Sequence, residues 1–180
     1  MNPFLILSIW YMTGGAILPV AFHKNKLYFL MGRENKLEKS AKGWADFGGG
    51  SKSNETPYDT AVREGSEELC GFLGGEDIMH ERLKGTYSFH YKTYHVFICR
   101  LPYDPNLPTY YNLQHEFLWN KLDQKMLTKS CCFEKDNIRW FSEKDLKTYN
   151  HVFRPFYQEV VHEMVTHHMK EIHQFMGIKK

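Results

Sequence analysis

Three glutamates, Glu64, Glu67 and Glu68, fall within a five-residue span, directly behind Arg63 and downstream of the consecutive glycines Gly48, Gly49 and Gly50. On one short helix these carboxylates repel one another, and they sit near the C-terminal end, where the macrodipole disfavours negative charge. A divalent cation is the simplest partner that makes such a cluster tolerable. The stretch 48–73, GGGSKSNETPYDTAVREGSEELCGFL, is therefore the segment that the rest of the chain must position. Two other chemistries fail on spacing. A P-loop needs G-K-[ST], but Ser51 separates Gly50 from Lys52. A zinc-protease helix needs histidines at i and i+4, but Thr166 stands four residues after His162.

The helix start is well signalled. Thr56 is suited to the N-cap, Pro57 to the first helical position, and Asp59, three residues after Thr56, to a near capping box. Gly71 is a plausible stop. At about 100° per residue, Tyr58, Ala61, Val62, Gly65 and Leu69 share one side, and Glu64, Glu67 and Glu68 share the other. Gly65 sits where the helix presses most closely on a neighbour. Upstream, residues 4–12 and 16–22 read as β-runs separated by Thr13, Gly14 and Gly15, with Pro19 implying an edge position or a bulge. A polar turn at 23–26 makes 16–31 a hairpin, and 32–43, with Arg33, Lys36, Lys39 and Lys42, reads as a basic loop. Downstream, 82–101 gives two strands with a turn near 90–92, and 102–108 a loop. A helix is expected within 115–127 and a strand at 138–141. Ser142 caps a helical turn, and 153–175 reads as a long helix with Phe156, Val160, Val161, Met164, Val165, Met169 and Ile172 as its apolar positions.

Composition sets the bounds. The 180 residues suit one domain, 1–180, with no internal repeat or linker, and a net charge of +2 is too small to predict polyanion binding from bulk charge. Cys70, Cys99, Cys131 and Cys132 form no CxxC pair and read as reduced thiols. The apolar run 3–12 is shorter than the roughly 20 residues of a spanning helix and lacks a basic flank, so it reads as core strand, with an uncleaved signal as the weaker option. The expected location is cytoplasmic, with no membrane partner. The lysine-rich, alanine-poor composition is that of an A/T-rich coding sequence, and in a viral setting that location would be a host cytoplasm.

Gly49, Glu55, Arg63-Glu64 and Glu67-Glu68 stand at the offsets of the Nudix box, G-x5-E-x7-R-E-U-x-E-E-x-G-U, which this chain resembles at every charged position. Gly65 departs where an aliphatic residue is usual. Cys70 departs where the second glycine is usual, with Gly71 one place later. The resemblance implies an α/β fold, a Nudix-like α/β/α sandwich with a mixed β-sheet and the catalytic helix on one face. It implies a pyrophosphohydrolase using Mg²⁺, or Mn²⁺, that cleaves a nucleoside diphosphate linked to another moiety. Glu64, Glu67 and Glu68, with the carbonyl of Gly49, would hold the metal, and Glu55 would pair with Arg63 to fix the loop on the helix. The base would be a box glutamate or one from a later loop, with Glu134 first and Glu116 second. Trp44, Phe47, Tyr87, Tyr91 and Tyr94 are candidates to stack a nucleobase, Trp44 foremost, with Arg33 or Lys42 on a phosphate. Hydrolysis of capped RNA is an alternative, with Lys121, Lys125, Lys129 and Lys135 as a basic track that Glu116, Asp123 and Glu134 interrupt. A binding module without catalysis ranks below both, because the box carboxylates are all present.

Overall fold

The computed structural model describes residues 13–35, 42–127 and 134–178. The strand expected at 4–12, together with Lys36, Lys39, Lys129, Cys131 and Cys132, lies outside them. The expected hairpin is present as β1 (Gly14–His23) and β2 (Lys26–Glu34). Its turn residues Lys24 and Asn25 both take left-handed backbone, with φ of 48° and 59°, the two-residue geometry that matches the twist of paired strands. β2 also pairs with the short β3 (Trp44–Ala45), and β1 pairs antiparallel with β4 (Phe47–Gly50) at its first four residues.

Pro19 is not at an edge. It lies in the central strand, opposite Cys99 of the parallel partner β6 (Tyr94–Arg100), which pairs in turn with β5 (Ser88–Tyr91). On its other side, β4 pairing ends at Ile17 and β2 pairing begins at Val20, so a residue without an N–H falls in the gap between two ladders. β7 (Lys135–Ser142) completes the mixed sheet along the far side of β2.

Helices cover both faces. α1 (Pro57–Glu68), α2 (Glu76–Leu83) and α3 (Leu107–Lys121) bring Ala61, Val62, Met79, Leu83 and Tyr111 onto Ile17, Leu30, Phe47 and Ile138. A single turn, α4 (Gln124–Leu127), follows α3. On the other face α5 (Glu143–Thr148), α6 (Pro155–Glu163) and α7 (Met169–Phe175) bring Leu146, Val160, Val161 and Ile172 onto Leu18, Phe29, Met31 and Phe141. Neighbouring residues such as Ile17 and Leu18, or Leu30 and Met31, enter opposite cores because strand side chains alternate. The result is the expected α/β/α sandwich.

Three boundaries differ from expectation. The helix expected within 115–127 begins earlier, at Leu107, with Pro108 in its first turn. α2 was not anticipated. The terminal helix is not continuous: five residues, Met164–His168, form a π-helical segment between α6 and α7. Phe156, expected on the apolar face, is exposed and meets Tyr94 edge-on. Among the described residues, no helix is long and apolar enough to cross a membrane.

Candidate metal centre

Both ends of α1 are fixed by local chemistry. Thr56 and Asp59 form a full capping box, with the Asp59 N–H donating to Thr56 Oγ1 at 3.2 Å and the Thr56 N–H donating to Asp59 Oδ2 at 3.1 Å. At the exit, the Cys70 N–H donates to the Glu67 carbonyl and the Gly71 N–H to the Ser66 carbonyl, both at 2.9 Å, which is a Schellman motif. The left-handed position that ends such a helix is held by Cys70, at φ 52°, and Gly71 follows it at φ 64°. The departure at box position 70 is thus a cysteine doing a glycine's conformational job.

The departure at Gly65 also has a packing cause. A Cβ there would lie 2.6 Å from Ile17 Cδ1, so α1 can approach β1 this closely only with a glycine at the contact. A Cβ on Gly49 would lie 2.5 Å from the Glu64 carboxylate, so that glycine admits Glu64 against β4.

Arg63 ties the box together. Its Nε and Nη2 donate to the two oxygens of Glu55 at 2.7 and 3.0 Å, and its Nη1 donates to Glu64 at 2.7 Å and to Glu67 at 3.0 Å. The fork geometry of a guanidinium allows this where a lysine would not. The Arg63 hydrogen bonds hold the Glu55 carboxyl down at about 2, and Glu55 in return raises the Arg63 guanidinium well above its ordinary value.

Glu68, which helical spacing puts on the side opposite the apolar residues, is nonetheless buried. It is 2% exposed. The Gly48 N–H donates to its Oε2 at 2.8 Å, and the Lys135 ammonium stands 3.1 Å from its Oε1. Burial pushes the Glu68 carboxyl up to about 8, against the pull of Lys135. Lys135 is itself fully buried, and its Nζ also donates to Glu34 Oε1 at 2.5 Å, where Arg154 Nη1 donates at 2.7 Å. Burial works against the charge on Lys135, but Glu68 and Glu34 outweigh it and raise the ammonium pKa.

One carboxylate oxygen from each of Glu64, Glu68 and Glu134 falls within 4.8 Å of the others. The grouping differs from the ligand set read from the sequence. Glu67 lies on Arg63, outside this trio, and Glu134, expected as a base, lies inside it. Burial raises the Glu134 carboxyl, and Glu64 raises it further. Glu116 is exposed on α3 and is not part of the cluster. Carboxylate oxygens are the hard donors that Mg²⁺ or Mn²⁺ takes, so the residues fit such an ion.

The expected substrate contacts divide. Arg33 and Trp44 are cross-strand neighbours. The Arg33 guanidinium donates to Asp136 at 2.7 Å and lies 5.9 Å from the Trp44 ring centre, while Trp44 is half-buried and edge-on to Phe141. Phe47 must be withdrawn. It is fully buried between the sheet and α1, because its strand alternation points it into the core. Tyr94 is also withdrawn: its hydroxyl donates at 2.8 Å to Asp46, whose carboxyl burial raises to about 7. Tyr87 and Tyr91 pack towards the α6–α7 layer, on His168 and Phe156. Lys135 cannot belong to a basic RNA track, being fully buried. Sequence reasoning missed the Lys135–Glu34–Arg154 chain, and no local pattern marks it.

No protein-family model matches the chain, and no curated protein matches it. Solved structures do. An Ap4A hydrolase from C. elegans, in a binary complex, is 14% identical over 85% of this chain and 94% of that one, with a TM-score of 0.48. A MutT/Nudix family protein from Listeria innocua is 13% identical over 90% and 96%, with a TM-score of 0.49. A bifunctional NMN adenylyltransferase/ADP ribose pyrophosphatase from Francisella tularensis, complexed with AMP and a Mn ion, is 17% identical over 85% of this chain and 41% of that one, with a TM-score of 0.49. These are what the chain is similar to, and its resemblance to the Nudix family is the one read from its own residues. What carries the resemblance is the box: Glu55, Arg63, Glu64 and Glu67 are joined by one guanidinium, and Glu68 faces Gly48 across the helix–strand contact.

Proposed function

We propose that the chain is a divalent-cation-dependent pyrophosphohydrolase acting on a nucleoside diphosphate linked to another moiety. The observation that carries this reading is the convergence of Glu64, Glu68 and Glu134 within 4.8 Å beside the Arg63–Glu55 clamp. Bound there, Mg²⁺ or Mn²⁺ would supply charge neutralisation of the pyrophosphate and activation of water.

The chain's own residues do the positioning. Arg63 holds Glu64 and Glu67 at fixed angles and ties the glycine loop to α1 through Glu55. Gly48 and Lys135 leave Glu68 little freedom, so Glu64 and Glu68 are the metal ligands, with the Gly49 carbonyl beside them. Glu134 stands directly before β7, and its raised pKa suits a group that accepts the proton of the attacking water at its carboxylate oxygen. Arg33 and Trp44 flank the substrate, the ring taking a nucleobase and the guanidinium a phosphate.

A hydrolysis screen tests the reading. Diadenosine tetraphosphate and ADP-ribose, substrates suggested by the names of two matching structures, head it. Oxidised and ordinary nucleoside triphosphates, nucleotide sugars, inositol pyrophosphates and capped RNA follow, each with Mg²⁺ and with Mn²⁺. Glu64→Gln is expected to lose both Mn²⁺ binding and turnover. Glu134→Gln is expected to keep Mn²⁺ and lose turnover by about 10²–10⁴-fold. Wild-type protein that leaves every substrate intact, indistinguishable from Glu64→Gln, would sink the proposal.

A further inference from the structure

Resting on the cation reading above, we propose that the Lys135 ammonium is a built-in cation of the site: it occupies the position between Glu34 and Glu68 and excludes a divalent ion from it. The divalent ion is thereby confined to the side of Glu68 that faces Glu64 and Glu134.

The placement of this lysine is built by several features. The β2–β7 register shifts between Arg33 and Glu34, so that Glu34 faces Lys135 while Arg33 faces Asn137. Such a bulge re-aims side chains, and here it puts Glu34 and Lys135 across from each other. Gly32 makes room for the stem, since a Cβ there would lie 2.8 Å from Lys135 Cγ and 2.9 Å from its Cδ. The head then lies 2.5 Å from Glu34 and 3.1 Å from Glu68, with neither carboxylate more than 5% exposed. Arg154 closes the row from the far side of Glu34.

Two carboxylates are thus matched by two fixed positive groups, and the Glu34–Glu68 pair presents no uncompensated charge. Without the ammonium, Glu34 would keep only Arg154 and Glu68 would lose its cation, so that both carboxylates would face one gap that a divalent ion can fill. A buried charge left alone is costly, so the gap would recruit a cation. Lys135 acts on the reaction through Glu68 and is a positioning residue.

The test is a Mn²⁺ titration of the full chain, with free Mn²⁺ read by electron paramagnetic resonance. Lys135→Ala is expected to bind one more ion per chain than wild type. Adding Glu34→Gln to Lys135→Ala is expected to return the count to the wild-type number. A folded Lys135→Ala protein with an unchanged or reduced count overturns the inference. Should that variant fail to fold, wild-type protein labelled with ¹⁵N-lysine decides. Lys135 is the fully buried lysine among the described residues. Its ammonium signal is expected to stay protected from exchange and to shift at saturating Mg²⁺, whereas its loss on saturation means the metal displaces it and the inference fails. The two readings separate. One ion bound by Lys135→Ala and none by wild type keeps the exclusion of metal by Lys135 but removes the hydrolase reading and the confinement that rests on it, while wild-type binding with no gain in Lys135→Ala removes only the inference.

Discussion

Replacing Gly65 by alanine tests how α1 is seated. In an exposed helix interior the change stabilises by about 1 kcal/mol, from propensity alone. Here the added Cβ would meet Ile17 Cδ1 at 2.6 Å, Cγ1 at 2.9 Å and Cγ2 at 3.2 Å, and Ile17 is fully buried. Overpacking of this kind costs roughly 1–3 kcal/mol. The expected net effect is a loss of about 1 kcal/mol. Ile17→Val removes Cδ1, the atom closest to the new methyl, and by itself costs about 0.5–1.5 kcal/mol. Valine keeps Cγ1 at 2.9 Å and Cγ2 at 3.2 Å, so in that background Gly65→Ala costs less but is not cost-free, and the pair shows a favourable coupling of roughly 0.5–1 kcal/mol. Urea unfolding of the four proteins measures this from midpoints at constant slope. Gly65→Ala that stabilises wild type by its full propensity, or a cycle without coupling, refutes the close contact. Because α1 carries Glu64 and Glu68, the same variant should also loosen the Gly48–Glu68 hydrogen bond and weaken Mn²⁺ binding.

Cys70→Gly should stabilise the protein by about 0.5–1 kcal/mol in thermal unfolding, since glycine takes φ 52° without the strain of a side chain. Glu55→Gln should destabilise at neutral pH by about 2 kcal/mol, after discounting partial exposure from the lowered pKa. Because the folded-state pKa is depressed from 4.5 to about 2, that contribution is complete above pH 4.5 and lost as pH falls towards 2. The wild-type and Glu55→Gln stability curves should therefore converge at the acid end, and curves that stay parallel down to pH 2 would contradict the clamp. For Glu68 the sign reverses. A carboxyl raised from 4.5 to about 8 makes the metal-free protein lose stability as pH rises across that window. Mg²⁺ should raise the melting temperature more at pH 8 than at pH 5, as differential scanning calorimetry will show.

The features legible in the sequence are those set by nearest neighbours along the chain. Thr56 caps α1 and Ser142 caps α5 because each N-cap and its partner lie three residues apart, and nothing distant needs to be known. The Gly65 contact followed from helical period, since one side of α1 had to meet a strand and the glycine stood at its centre. The Glu55–Arg63 pair followed from the box offsets. Helical period also placed Glu68 opposite the apolar side, but it could not say whether the side chain there is buried. Whether a side chain on the border of a helix face is wet or dry depends on what covers it, and Gly48 and Lys135 cover Glu68.

Strand alternation likewise left Phe47 open between core and site until the sheet was assembled around it. The box carboxylates, their order and their clamp were determined by the sequence itself. Which three of them share a point in space, and which cation already stands among them, was decided by tertiary structure alone. Glu34 and Lys135 are separated by 101 residues and meet only through a one-residue slip in strand register, a feature with no period, cap or spacing to announce it.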